Sequence, residues 1–411
     1  MIAVTGIGVV APSANSPDQL WDRVVNGHSP AAVPEGSDGP AVCAVQEPLE
    51  LAGGQRKIRR NHRADRCVQL ILLATQRAWA DANLEGSPAR EPARIGVVAG
   101  SSRGPVTKWA EAFRPSHRRI RPSLAADTTS ACLHGSISAW LGAGGPSFTV
   151  STACASGAHA VALGAMQIQA GAAELVVVAA SDAPLHDVMV SQFQAAGILS
   201  PSRPPDLVCR PFDRNANGTV LGEGAGCLVL ESVESARRRG ARMQGLLLGW
   251  GLRGDGPLTS AEAAGDRALR EATRDAMAMA RLHPDDIGYI NAHGTGTRRN
   301  DDLEMVWLRE FDSRRQYPVP CGSTKATTGH CLGATPLFEA ALCLEAISRG
   351  LAPRSVHCFV PHPDAPGGLV LEAHQNLSSR FVMSNSLGFW GSSASLIFGP
   401  PNFNDGDSSP R

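Results

Sequence analysis

Cys154 sits where an apolar, β-prone segment, Phe148–Val150, passes through the small residues Ser151–Ala153 into a helical run, Ala155–Gln169. A thiol at such a junction is placed to react, because the helix dipole and unpaired N–H groups favour the thiolate and lower its pKa from the free value of about 8.5. Two histidines far downstream complete it. His293 ends the buried-strand pattern Tyr289–Ala292 and opens the small-residue loop Gly294–Thr297. His330 lies in the Gly/Ser/Thr-rich run "GSTKATTGHCLGA", five residues after Lys325 and ahead of a helical pattern over Leu332–Arg349. Free cysteines are mostly buried and inert, and with ten cysteines and twelve histidines no single one carries weight. A cysteine at a strand-to-helix turn joined by two histidines in glycine loops is a different matter: it offers a nucleophile that is also a leaving group, beside two imidazoles.

The segments "STACASG", "HGTGT" and "STKATTGHCLGA" resemble the β-ketoacyl-acyl-carrier-protein synthases of the ketosynthase I/II branch, most like type II. The resemblance spans nearly the whole chain, from "VTGIGVVAPSA" at Val4, through "RPFDRNANGTVLGEGAG" at Arg210, to "NSLGFWGSSASLIFG" at Asn385. It implies that Cys154 is acylated and that His293 and His330 serve decarboxylation and condensation. The chemistry accounts for those types. An acyl group is held as a thioester while a carbanion equivalent forms beside it. Loss of carbon dioxide from a malonyl thioester leaves an enolate oxygen that two neutral Nε2–H donors can stabilise. By the same resemblance Lys325 orients the histidine pair, Glu339 on the following helix pairs with Lys325, and the backbone N–H groups of Cys154 and Leu387 hold the second oxyanion. Thr295 and Thr297 resemble threonines that hydrogen-bond a phosphopantetheine arm, whose amides suit hydroxyl partners. Arg59 and Arg63, in the basic stretch "RKIRRNHRADR", resemble carrier-docking positions; a second basic stretch runs over Arg114–Arg121. Docking through such a patch raises association rate and fixes orientation.

Departures bear on the substrate. Where elongating members carry a phenylalanine gate followed by Gly-Phe-Gly-Gly, this chain has Leu387, Gly388, Phe389, Trp390 and Gly391. Thr219 replaces a usual phenylalanine, and Arg103 falls at a position resembling an apolar residue of the acyl pocket. Arg103, Leu387, Phe389 and Trp390 are therefore the expected acyl-pocket set, with Arg103 making it short, polar or rearranged. The implied activity is a decarboxylating 3-oxoacyl-carrier synthase of fatty-acid or polyketide extension. The alternatives are a non-elongating acyltransferase, against which the histidine pair argues, and a non-catalytic chain-length partner subunit, which usually lacks the cysteine. A thiolase would carry a second catalytic cysteine motif.

The elements that must position these residues fit an α/β chain. The 43% hydrophobic and 18% charged content of 411 residues suits strands covered on both faces. Ser16, Pro17 and Gln19 predict an N-cap, first helical position and capping box for a helix through Val25. A helix is expected over Cys67–Asn83, strands over Ile95–Ala99 and Leu175–Ala180, and a new strand from Met243. "GEGAG" at Gly222–Gly226 lacks a Gly-Lys-Ser/Thr ending and reads as a tight turn into a strand rather than a phosphate loop. His159, five residues into the helix after Cys154, reads as structural. Two halves result, 1–240 with the nucleophile and 241–411 with the histidines, and no internal repeat is visible as sequence identity. The resemblance implies a thiolase-like fold, two related halves in a five-layer αβαβα sandwich. It further implies no cofactor, an acyl carrier protein as partner, and a homodimer or a heterodimer with a ketosynthase-like chain. The cysteine spacings predict no metal site and, without a disulfide framework, a reducing cytoplasm. No apolar run reaches the ~18 residues of a membrane span, and a formal net charge of zero gives no general pull toward nucleic acid.

Overall fold

The computed structural model describes residues 1–46, 49, 64–85, 91–112, 122–202, 204, 207–256, 266–372 and 375–403. Arg59, Arg63 and the stretch 114–121 lie outside the described residues.

Ten strands form one large sheet: β1 (Ile2–Val10), β2 (Ile95–Gly100), β3 (Ser147–Val150), β4 (Leu175–Asp182), β5 (Gly224–Ser232), β6 (Gly245–Gly254), β7 (Ile287–Asn291), β8 (Cys321–Gly322), β9 (Phe381–Gly388) and β10 (Ser392–Gly399). Their spatial order is β8-β7-β9-β10-β6-β1-β5-β4-β2-β3. Read outward from the central β6·β1 pair, both halves have the same order. Each strand of the first half has its counterpart five numbers later in the second, with matching parallel and antiparallel neighbours. The halves join through antiparallel pairing of Ile2–Val4 with Gly245–Leu247.

The helices named here are α1 (Pro17–Asn26), α2 (Arg66–Asp81), α3 (Ser156–Gln169), α4 (Arg267–Ala280), α5 (Arg298–Asp312) and α6 (Thr335–Arg349). α2 covers the outer face of β1, β5 and β4, and α4 covers the outer face of β6 and β10; α3 and α6 lie between the two half-sheets. This gives the five layers. Strand periodicity explains why they are stable. Val176, Val178, Leu228 and Leu230 face the central core with Val382, Leu396 and Phe398, while the alternate residues Leu175, Val177, Cys227 and Val229 face α2. In the second half Leu246, Leu248, Met383 and Ile397 point to the outer core of α4 and α5. Strands buried on both faces must read as continuous apolar runs, as these do.

The repeat has a local signature. On β1, Gly6 and Gly8 lie against the carbonyl oxygens of Ala78 and Ala74 of α2; on β6, Gly249 and Gly251 lie against those of Ala276 and Ala272 of α4. A Cβ at any of the four would collide with helix backbone. Each half thus docks its outer helix through a Gly-x-Gly strand and alanines four residues apart, a spacing that keeps them on one helix face.

α1 begins as expected, with Ser16 Oγ accepting from Gln19 N–H at 3.2 Å and Pro17 at the first position, although the Gln19 side chain accepts from Asn15 N–H instead of from Ser16. Glu223 of "GEGAG" leads into β5 and pairs with Arg66 at 2.7 Å.

Candidate active site

Cys154 lies in the turn from β3 to α3, and His330 lies in the equivalent connection of the second half, from β8 to α6. His293 follows β7, the strand beside β8. All three connections open at the same end of the half-sheets, so two histidines 139 and 176 positions after Cys154 share one site with it.

The nucleophile turn is sharply bent. Ala153 takes a left-handed backbone, φ 50°, and Ser156 Oγ fixes the bend by donating to Ala153 C=O (2.6 Å) and accepting from Thr152 N–H (2.9 Å). Cys154 is only 5% exposed. Burial, with the charge of Asp182 adding to it, pushes the thiol up to about 12. The expected depression of its pKa by the helix terminus is therefore corrected: desolvation of a thiolate in this closed site outweighs it. His330 Nε2 is 3.2 Å from Cys154 Sγ, within hydrogen-bond reach of the thiol. His330 is held by its backbone, donating from N–H to Val220 C=O (2.8 Å) and accepting from Gly222 N–H (3.0 Å).

His293 meets His330 edge-on, with ring centroids 5.4 Å apart and planes at 83°. Burial, with the nearby Lys325 cation adding to it, holds both imidazoles well below their ordinary pKa. Both are neutral at neutral pH. The Nδ1 of His330 lies 3.4 Å from Thr335 Oγ1, a hydroxyl that can accept from Nδ1–H or donate to bare Nδ1. Either tautomer is thus accommodated.

Lys325 is fully buried, 2.6 Å from Glu339 Oε1, and its Nζ also donates to the carbonyl of His293. Burial raises Glu339 to about 7 against the pull of Lys325. One ammonium thereby ties the His293 loop to α6. Glu339→Ala, which strands that cation, is expected to lower unfolding free energy by ~3–5 kcal/mol; denaturant titration at unchanged m-value checks it.

Three buried carboxylates were not picked out from sequence. Glu304 accepts from the N–H groups of His293 (2.7 Å) and Gly294 (2.6 Å). Asp301 accepts from those of Thr295, Gly296 and Phe212. Both project from the first two turns of α5, three residues apart, and together they fix the loop that carries His293. The signal was present as acidic residues one turn apart directly after the glycine loop. Asp182, at the end of β4, accepts from Ser101 Oγ and from the N–H groups of Ser102, Arg103 and Gly333, and so joins the two halves beside the cysteine.

Cys154, His293 and His330, the first and last 5% exposed and His293 4%, line the buried part of a cavity of about 180 Å³. The rest of its lining comes from three stretches of chain: Phe193, Ile198 and Thr219; Thr295, Thr297, Arg299, Asn300 and Leu303; and Leu387, Gly388 and Phe389. Cys154, Phe193, Leu221 and Leu332 form one apolar cluster, so the side toward Phe193 is the apolar one. Thr295 and Thr297 hydrogen-bond each other through their hydroxyls (2.7 Å). Arg103 is not among the lining residues. Its guanidinium stacks behind Phe193, 4.9 Å from the ring centroid, because its main chain is drawn toward Asp182. Trp390 is also outside the lining, 64% exposed. Its φ of 63° is left-handed, a conformation that costs a side-chain-bearing residue roughly 1–2 kcal/mol relative to glycine. His159 donates from Nδ1–H to the C=O of Ala155, the residue that caps the start of α3 (3.1 Å). Among the described residues no cluster of His, Cys, Asp and Glu could hold a metal ion, and no helix is long and apolar enough to cross a membrane.

Comparison with known proteins agrees with this geometry. The beta-ketoacyl synthase N-terminal domain matches residues 1–236 and the C-terminal domain residues 244–359. The 3-oxoacyl-[acyl-carrier-protein] synthase 2 of Staphylococcus aureus (strain COL) is 31% identical, with 97% of each chain covered. Two solved structures superpose closely. The ishigamide ketosynthase/chain length factor has a TM-score of 0.86 at 28% identity, covering 97% of this chain and 98% of its own. A type II polyketide-synthase ketosynthase, solved bound to the hexaketide with its acyl-carrier protein, has a TM-score of 0.85 at 26% identity, covering 97% and 98%. The five-layer architecture is the thiolase-like one of these proteins, and the chain belongs to the beta-ketoacyl synthase family.

Proposed function

We propose that this chain is a condensing 3-oxoacyl-[acyl-carrier-protein] synthase of fatty-acid or related polyketide biosynthesis, which loads an acyl group on Cys154 and extends it with a malonyl unit. The observation that carries this is the meeting of Cys154 Sγ and His330 Nε2 at 3.2 Å, with His293 beside them in one cavity.

In the loading step the Cys154 S–H gives its proton to His330 Nε2 as sulfur attacks the thioester carbonyl. The carrier's thiolate leaves and is protonated from solvent, while the His330 imidazolium releases its Nδ1 proton to solvent and keeps Nε2–H, the tautomer supported by Thr335 donating to Nδ1. In the second step the malonyl carboxylate leaves as carbon dioxide, and its bonding electrons form an enolate whose oxygen faces the Nε2–H groups of His293 and His330. The enolate carbon attacks the acyl-Cys154 carbonyl, whose oxyanion is assigned to the N–H groups of Cys154 and Leu387. The C–S bond breaks, and the released thiolate regains a proton from solvent. Lys325 and Glu339 position the histidine loop. No cofactor enters these steps; both substrates ride on phosphopantetheine, whose amides meet Thr295 and Thr297.

The partner is an acyl carrier protein, as in the solved ketosynthase complex. A second chain, identical or ketosynthase-like as in the solved ketosynthase/chain length factor, is proposed along β3. That strand has a neighbour on one side only and exposes Phe148. Intact-mass analysis after incubation with a panel of acyl-carrier thioesters tests the reading: one acyl adduct on Cys154 supports it, and no adduct from any acyl carrier overturns it.

The apolar wall sets the acyl preference. Phe193→Ala is expected to shift loading toward longer saturated chains, since each newly buried methylene contributes ~0.8 kcal/mol. Competition between short and long acyl carriers, read by mass, checks this.

A further inference from the structure

The lining of the active-site cavity contains a single cation among the described residues, Arg299. Its histidines are neutral, and the rest of the lining is apolar or carries uncharged amide, hydroxyl and thiol groups. Arg299 has no carboxylate partner among the described residues, whereas the arginines of the neighbouring α4–α5 groove are bound to acidic residues: Arg270 to Asp266, and Arg314 to Glu310. An arginine on a cavity wall without a protein anion is available to an anion of the substrate.

Its depth identifies which one. Cys154 and His330 at the base are 5% exposed, Thr295 is 6% exposed, Thr297 is half-buried, and Arg299 is exposed at the rim. Along this wall the polar groups therefore follow the order of an extended phosphopantetheine thioester: reacting sulfur at the base, amides against the two threonines, phosphodiester at the surface. The malonyl carboxylate, which must lie at the histidine pair to be lost, belongs at the opposite end of the cavity from Arg299.

We infer that Arg299 binds the phosphodiester of the phosphopantetheine arm and so selects phosphorylated arms over bare pantetheine thioesters. The guanidinium fork is suited to phosphate oxygens, which it contacts through charge-assisted hydrogen bonds. This rests on the reading that Cys154 is loaded from a pantetheine thioester.

The test compares Cys154 loading by one acyl group carried on phosphopantetheine and on pantetheine without the phosphate, in the full-length wild type and in Arg299→Gln. The wild type is expected to load from the phosphorylated thioester about tenfold more efficiently, the effect falling on KM. In Arg299→Gln that preference falls to near unity while loading from unphosphorylated pantetheine is unchanged. Arg299→Lys, which keeps a point charge but loses the fork, restores part of the preference. The inference is overturned if the variant retains the wild-type preference, or if the wild type has none. A variant selectively impaired with malonyl substrates would instead assign Arg299 to the carboxylate and equally overturn it. Loading of the wild type from neither thioester nor from any acyl carrier would strike at the parent reading rather than at Arg299.

Discussion

Cys154→Ala is expected to gain no mass from any acyl-carrier thioester and to form no condensation product, because the only thiol within reach of His330 Nε2 among the described residues has been removed. In the wild type the pH dependence of loading follows from the two partners. The thiol is pushed up to about 12, so no gain from free thiolate appears until strongly alkaline pH. His330 is held well below its ordinary value by burial and Lys325, so its role as proton acceptor is lost only when acidification protonates it, far on the acid side. Between these limits the loading rate is flat. A thiol activated by the helix terminus alone would instead give a rate that climbs through the neutral range. Stopped incubations with an acyl carrier from pH 5.5 to 8.5, in roughly half-unit steps and read by intact mass, separate the two. Cys154→Gln, with a neutral amide in place of the acyl thioester, is expected to keep releasing carbon dioxide from malonyl carrier, since both histidines stay in place.

The histidines should then separate from each other. His293→Ala is expected to lose malonyl decarboxylation by more than ~100-fold, the scale seen when an oxyanion donor is removed, while loading of Cys154 proceeds close to the wild-type rate. Its imidazole meets His330 edge-on, while the imidazole hydrogen-bonded to the sulfur is that of His330. His330→Ala is expected to lose decarboxylation similarly, and loading by ~100-fold as well, because the neutral thiol then has no acceptor for its proton. Carbon dioxide release from malonyl carrier and the rate of acyl-adduct formation provide the two readouts. Undiminished release in either variant contradicts the paired-donor assignment; equal loading in both contradicts the assignment of the base.

The three reacting residues were legible because their motifs are local: each is a short strand, a small-residue turn and a helix, and such units announce themselves in sequence. The continuous apolar strands were legible for the same reason, and the observed bounds of β2, β4 and β7 differ from the expected ones by one or two residues. What sequence did not show depends on contacts between distant segments. The thiol was expected to be acidic, yet its pKa is set by enclosure between the halves and by Asp182, neither of which is adjacent in the chain. Arg103 was read as a pocket residue from its position alone, and its main-chain bonds to Asp182 place Phe193 in that role. The two related halves implied by the resemblance show no repeat as sequence identity, because the repeat resides in strand order and in two Gly-x-Gly sites facing spaced alanines. Trp390 takes a left-handed backbone (φ 63°), a constraint of the turn that the residue type does not reveal.

β1 is the axis on which the halves meet, and its position has a consequence in time. Ile2 is opposite Ser232 on one side and Leu247 on the other. At a synthesis rate of about 5–20 residues per second, the first strand waits roughly 10–50 s for its nearest partner to emerge. Throughout that interval Gly6 and Gly8 have only α2 to dock against, so a helix and a strand with both edges open must persist as a nascent intermediate. An apolar strand in that condition is a template for pairing with other chains. The step most exposed to aggregation thus comes early in synthesis, before Cys154 can meet either histidine.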